Sequence, residues 1–448
     1  MGVFPISPRI VVIFLFVSLL RPTQCVGDDD KVLKIGFLVP LTDPYHMTMY
    51  TLGDPMAGAF DMAIEHANDL GFVDGYRVEY DWGDSYARIN KGLQTIAWFR
   101  KNRYHGIIGP GNTCAFEARF ASALNMAMID YLCDEKEVSD KSIYSTYART
   151  KPSFSEIAYA IVEVFKEYNW RRCTIVSSDD PNFVSMTDTV FELFEKNNIE
   201  VTNHRPFPGN YVPGMAMYSY DWDDTIRKTR QTTRIYLFLG SLVHHRHFIV
   251  NLYKAGVFSR DDTMVVTTSV DITFPGLQGY VKGVFDIDNN DIAMEAIKYS
   301  LVVEFRLPLI DYDDYVAFTD QYSRRTEYIF GGLGIGVDNR AFFLYDAVMQ
   351  LCSALNQTIA EGGDITDGRE VMSHVFDSTY QSKLAREAYI DENGDAFGEY
   401  ELKAWRLYDM MTHFTFGRFF QENLVIGTDY GMIPIGKMYR NVSTANEW

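Results

Sequence analysis

Several groupings of side chains in this 448-residue chain have types and spacing that could do chemistry. His244, His245 and His247 invite a metal, since a helix would put His244 and His247 on one face. No carboxylate or cysteine follows at a ligand spacing, so the group reads as an exposed helix start. Asp391, Asn393 and Asp395 open like a calcium loop, but Ala396 stands where its glycine and Leu402 where its glutamate should be. They read as a hairpin turn. GGLGIG at 331–336 has alternating glycines with no strand before it and no Lys-Ser/Thr after it, which reads as a loop and not a nucleotide site. Neither Gly-x-Ser-x-Gly nor His-Glu-x-x-His occurs, and no spacing selects a Ser-His-Asp triad. The residues point to a binder, with no catalytic residue and no metal site. The stretch with most to offer a ligand is Gly109, Pro110, Gly111, Asn112 and Thr113, between a short apolar strand at 106–108 and a helix opened by Thr113. Amides at a helix N-terminus suit an anion; a tight turn holding water is the alternative. Cys114 and Cys133 bracket that helix.

The composition, 47% hydrophobic and 23% charged, is globular, and the length allows two or three cores. A net charge of -19 speaks against a nucleic-acid partner. It suits a cationic ligand, or serves solubility alone. After Arg9, eleven apolar residues at 10–20 are too few to span a bilayer and fit a secretory signal ending near residue 26, with a retained signal-anchor as the alternative. No later run reaches 18 apolar residues, so a membrane would be met only through a span C-terminal to this sequence. The expected location is extracellular, as a cell-surface ectodomain or a secreted protein. Sequons at Asn356 and Asn441 suit that route as glycosylation sites.

The positioning elements repeat as strand then helix. Residues 32–40 read as a buried parallel strand, and a helix capped by Asp54 and Pro55 carries Met56, Phe60, Ala63 and Ala67 inward until Gly71. An edge strand alternates Tyr76, Val78, Tyr80 and Trp82 with polar residues. A helix at 90–101 turns Leu93, Ile96 and Ala97 inward, and a strand at 128–131 follows the glycine turn. A second round starts after Lys141. It has a helix boxed by Ser153 and Glu156 with an apolar stripe from Phe154 to Tyr168, strands at 173–177, near Val201, 235–239, 264–268 and 283–287, and helices at 187–196 and 247–255. Helices at 314–325, 339–356 and 374–380 and a hairpin at 388–402 remain. The fold class is therefore α/β: two doubly wound parallel-sheet lobes joined by a hinge. The division is signal 1–26, first lobe 32–140, second lobe 141–290, and 291–448 completing both lobes and a membrane-proximal tail. Ligands of such sheets lie at the carboxyl ends of strands. That selects Leu41, Thr42, Gly109, Pro110, Gly111, Asn112, Thr113, Ser177, Ser178, Asp179, Gly240 and Ser241.

Seven pieces occur in family order: IGFLVP at 35–40, AFDMAIEHAND at 59–69, IIGPGNTC at 107–114, ARTKPS at 148–153, YNWRRCTIV at 168–176, LYDAVMQLCSALN at 344–356 and IDENGD at 390–395. In these the chain resembles the receptor ligand-binding region family, of type 1 periplasmic-binding-protein-like fold, nearest to ectodomains of natriuretic-peptide-receptor-like and nematode-type receptor guanylate cyclases. The resemblance implies a Cys114–Cys133 disulfide, leaving Cys173 and Cys352 as buried core thiols or, less favoured, a second bridge. It implies a structural chloride near the glycine turn as the one possible cofactor. It also implies two partners for an ectodomain: an extracellular ligand, peptide or small molecule, and a second copy in a homodimer built on first-lobe helices. Pro110 to Cys114 lack the Ser and Thr that hold an α-carboxylate in amino-acid-binding members, which lowers glutamate-like ligands. The catalytic parts of such receptors are outside this sequence. A secreted decoy of the same fold is the alternative function.

Overall fold

The computed structural model describes residues 31–41, 56–111, 114–153, 156–211, 220–260, 262–269, 289–305, 312–331, 340–383, 387–407 and 430–439. The chain first lays down β1 (Lys31–Val39), α1 (Gly58–Asp69), β2 (Tyr76–Asp84), α2 (Ile89–Lys101), β3 (Gly106–Ile108), α3 (Ala115–Ala123), β4 (Ala127–Asp130) and β5 (Tyr147–Arg149). These strands form one parallel sheet of order β2-β1-β3-β4-β5. Strands β3 and β4 are buried at every residue, as strands covered on both faces must be. Gly71, at φ 57°, stops α1 in the left-handed conformation that favours glycine.

The second round is α4 (Ile157–Glu167), β6 (Arg172–Ser178), α5 (Pro181–Lys196), β7 (Glu200–Phe207), α6 (Asp223–Thr229), β8 (Ile235–Leu239), α7 (Leu242–Lys254), β9 (Met264–Ser269), α8 (Asn290–Ala296) and β10 (Ser300–Phe305). Its parallel strands repeat the first order as β7-β6-β8-β9-β10. The chain then returns to the first lobe with α9 (Tyr312–Arg325), α10 (Arg340–Ala360), α11 (Gly368–Ser373) and the antiparallel pair β11 (Ser378–Gln381) and β12 (Glu387–Ile390). It ends in the second with β13 (Glu399–Leu407) and β14 (Tyr430–Tyr439), antiparallel on β10. Each sheet is packed on both faces. Phe37, Phe60, Phe342 and Leu344 fill one side of the first sheet and Phe99, Ile107 and Met128 the other. Ile161, Phe165 and Phe194, then Phe207, Trp222 and Phe248, do so for the second.

The structure corrects several readings. Sheet membership changes after Arg149 and not at residue 140, because β5 pairs with β4. Ala97 is exposed and Phe99 takes the inward place on α2, which a stripe read on small residues passed over. Tyr168 lies past α4 and is exposed. Helix α4 starts at Ile157, just after the Glu156 N–H donates to the Ser153 carbonyl at 3.0 Å. The helix placed at 374–380 is instead α11 followed by β11. The turn at Asn393-Gly394 exists and closes a short antiparallel bridge between Ile390 and Ala396, but the strands β12 and β13 beyond it belong to different sheets. Helix α7 starts at Leu242, five residues early, so His244 and His245 are buried within it. The expected caps at Asp54 and Pro55 and the strand at 283–287 lie outside the described residues, as do the signal segment and Asn441.

Candidate ligand cleft and its hinge

The glycine turn is shaped by close backbone approach. Gly109 has φ 109° and a side chain there would collide with the Leu38 carbonyl; Gly111, at φ 89°, would put a Cβ 2.9 Å from the Tyr131 hydroxyl. Only glycine meets both demands. Gly109, Pro110 and Gly111 are buried at the carboxyl ends of β1 and β3, the Gly109–Pro110 bond being cis. Half-buried Leu41 sits at the end of β1, its N–H donating to the Asp84 carboxylate at 3.1 Å. Thr42, Asn112 and Thr113 lie outside the described residues.

The anions facing this turn come from the chain itself. Asp130, fully buried at the end of β4, accepts from the N–H groups of Leu132 at 2.8 Å, Cys133 at 3.2 Å and Gly111 at 3.5 Å. Burial still lifts its carboxyl above the usual range. Glu135 accepts from the N–H groups of Cys114 and Ala115 at the start of α3, and burial raises it too. The chain's own carboxylates thus take N–H groups on both sides of this turn. Cys114 and Cys133 form the disulfide that joins the start of α3 to the chain after β4, while Cys173 and Cys352 are free and buried.

On the second lobe, the selected residues also bind their own chain. Ser177 Oγ meets His204 Nε2 at 2.8 Å. Ser178 Oγ accepts from the Asp180 N–H at 3.1 Å, and the exposed Asp179 carboxylate from the Gly209 N–H at 2.7 Å. Gly240 is packed under Phe207, and Ser241 caps α7 by accepting from the His244 N–H. His244 contacts the Tyr211 carbonyl through Nε2 at 2.9 Å and stacks on the Tyr211 ring. His247 Nδ1 accepts from Trp222 Nε1 at 3.2 Å. The histidines thus belong to an aromatic floor. Among the described residues no hydrogen bond joins the first-lobe set to the second-lobe set; the strand ends present them as two separate walls.

The chain crosses between the lobes three times: from β5 to α4, from β10 to α9 and from β12 to β13. The first and third crossings are clamped together. Arg149, 1% exposed, donates from Nε to Asp395 Oδ1 at 2.8 Å and from Nη1 to the carbonyls of Cys133 and Glu135 at 3.1 and 3.0 Å. Its own N–H donates to the Gly394 carbonyl at 2.9 Å. The Asp395 carboxylate also accepts from Ser139 at 2.6 Å. Lys141 donates to the carbonyls of Val138, Tyr147 and Tyr144 at 2.9, 2.8 and 3.4 Å, and burial pushes its amine down to about 8. Lys151, also buried, meets Asp134 at 2.5 Å. Thr150 Oγ1 donates to the Phe343 carbonyl at 2.8 Å, tying the first crossing to α10, which follows the second. Sequence reasoning missed this clamp. Its signal was present: Arg149 and Asp395 lie in two quoted motifs of opposite charge, far apart in the chain.

Two parallel-sheet lobes of the same strand order, joined by three crossings of which the first and third are clamped together, define a hinged two-lobed binding protein. The same architecture occurs in a putative branched-chain amino acid ABC transporter protein of Rhodospirillum rubrum, at TM-score 0.62 and 13% identity over 83% of this chain and 97% of that one. That likeness concerns the fold alone. Residues 55–407 match the receptor family ligand binding region, and the chain belongs to that family. It is 32% identical over 385 residues to the speract receptor of Strongylocentrotus purpuratus, covering 79% of this chain and 34% of that protein. It is 28% identical over 378 residues to guanylate cyclase 32E of Drosophila melanogaster, covering 82% and 30%. The chain thus spans about a third of the length of these relatives.

Proposed function

We propose that this chain is the extracellular ligand-binding part of a cell-surface receptor of the guanylate cyclase type. The observation that carries it is the family match over 55–407 together with the likeness to guanylate cyclase 32E. The disulfide between Cys114 and Cys133 suits an oxidising, extracellular setting. An extracellular peptide or small molecule would bias the balance between two lobe or dimer arrangements by binding one more tightly than the other. The three-stranded hinge gives lobe motion a place to occur. Dimer rearrangement would use α2 and α3, where Trp98 and Phe116 are 48% and 62% exposed; a peptide would then lie between protomers.

The transcript beyond Trp448 tests this reading. A membrane span followed by kinase-like and cyclase segments supports it, and a stop codon at that point replaces it with a secreted binding protein. A thermal-shift screen of the purified chain against extracellular peptides and small molecules then identifies the ligand class. Stabilisation by free amino acids alone would count against the guanylate cyclase branch.

A further inference from the structure

Strand β2 is the outer strand of the first sheet, and one half of its free edge is closed by a side chain. Asn68 Nδ2 donates to the Val78 carbonyl at 2.9 Å, and the Val78 N–H donates to Asn68 Oδ1 at 2.8 Å. One amide thereby takes both outward groups of Val78, as a neighbouring strand would. Backbone groups alternate sides along a strand, so Tyr80 and Trp82 also point outward. Among the described residues nothing plays the part of Asn68 for them. The edge, among the described residues, is plugged at Val78 and open from Tyr80 towards the carboxyl end.

The surroundings of the open half specify what would fit it. A groove of about 470 Å³ runs along this edge, and its lining holds five carboxylates against three cationic side chains. Arg325 pairs with Asp61 and Glu65, and Arg77 with Glu79. Asp69 continues the row begun by Asp61 and Glu65 at helical spacing of four, a like-charge series that costs α1 stability. Trp82 is 41% exposed, with its ring 5.7 Å from that of Phe330; Tyr328, two residues earlier, is 91% exposed. Exposed aromatics beside an unpaired strand are the usual anchors for an added segment.

We infer that the Tyr80–Trp82 edge of β2 receives an extended, lysine- or arginine-rich peptide segment as an additional strand. Its main chain would bond to the outward groups of Tyr80 and Trp82. Alternate side chains would fall on opposite faces of the sheet, cations beside Glu79 and Asp81 and apolar residues beside Trp82. A second copy of this chain is a poor occupant, because it would bring the same acidic edge and a net charge of -19 against itself. This surface is independent of what the cleft binds.

The test uses the purified chain and a blocked nonapeptide of alternating lysine and valine. Binding should protect the Tyr80 and Trp82 amides from hydrogen exchange, and should weaken about tenfold between low and physiological salt as charge attraction is screened. Asp69→Lys, at the exposed end of α1 where a cation suits the helix dipole, should weaken binding several-fold without lowering the melting temperature. Trp82→Pro removes one outward donor on an edge strand and should weaken it at least about tenfold. The inference is overturned by any of three results: no binding at about 1 mM peptide, binding without protection of those two amides, or equal protection by a control nonapeptide of alternating glutamate and valine.

Discussion

Removing the Arg149 side chain would leave two carbonyl oxygens without that donor, and the half-buried Asp395 carboxylate with Ser139 but without its cation. Unbonding the two carbonyls and stripping a partly solvated carboxylate of its cation costs on the order of 2 kcal/mol. Arg149→Ala should therefore lower the melting temperature well beyond any exposed substitution, while Arg149→Lys, keeping charge and losing the planar fork, should recover part of the loss. Thermal denaturation of the two variants checks both. His245 makes a different prediction. It is 0% exposed, and burial pushes its imidazole down to about 3. In the unfolded chain it titrates near 6.5, so below that pH the unfolded state binds a proton that the folded state refuses. The stability is complete above pH 6.5 and falls as pH drops towards 3, by up to about 1.4 kcal/mol per unit. His245→Gln should flatten that slope in urea titrations between pH 7 and 4. At this scale the sequence misleads by proximity: three neighbouring histidines suggest a metal or an exposed patch, and only the register of α7 shows two of them buried.

Elements were legible where one residue type marks the boundary. Gly71 and Gly256 stop α1 and α7 with φ 57° and 69°, and strand 235–239 falls where its apolar run does. Boundaries failed where a long-range partner decides. The run after Ile297 shows no strand signal stronger than its neighbours, yet β10 forms because β9 and β13 flank it. Likewise β12 and β13 flank a turn that holds only the Ile390–Ala396 bridge, and each strand pairs in a different sheet. Close packing is equally silent in the sequence. The N–H of Gly58 donates to Thr326 Oγ1 at 2.8 Å, and a Cβ on it would collide with the Tyr322 carbonyl and lie 2.6 Å from the Thr326 N. Both are backbone atoms of the neighbouring helical segment, which cannot give way as a side chain end can. Gly58→Ala, favourable in an isolated helix, should here cost about 2 kcal/mol or more by separating α1 from α9. A gain in stability in chemical denaturation would refute that packing.

For the whole molecule, the repeat of one strand order in both lobes follows from the alternating strand–helix pattern, which is why the architecture could be read before its contacts. The hinge could not, because Arg149 and Asp395 acquire their meaning only when two segments far apart in the chain meet. Assembly is the remaining step at this scale. Helices α2 and α3 pack so closely that a Cβ on Gly92 would lie 2.6 Å from Glu117 Oε1, giving a stiff paired surface that carries Trp98 and Phe116 outward. A stable interface needs about 800 Å² per partner, with large aromatics as its energetic centre. Each protomer also carries a net charge of -19, so long-range repulsion opposes association and salt should relieve it. Sedimentation velocity should therefore show a dimer that tightens as salt rises, the reverse of an interface held by ion pairs. Trp98→Asp with Phe116→Asp should shift it to monomer, with a small loss of protomer stability from the Trp98 contacts with Phe99 and Tyr104, whereas Phe116→Asp alone should weaken the dimer and leave the protomer's melting curve in place. A double variant that dimerises as tightly as the parent would move the interface to another face.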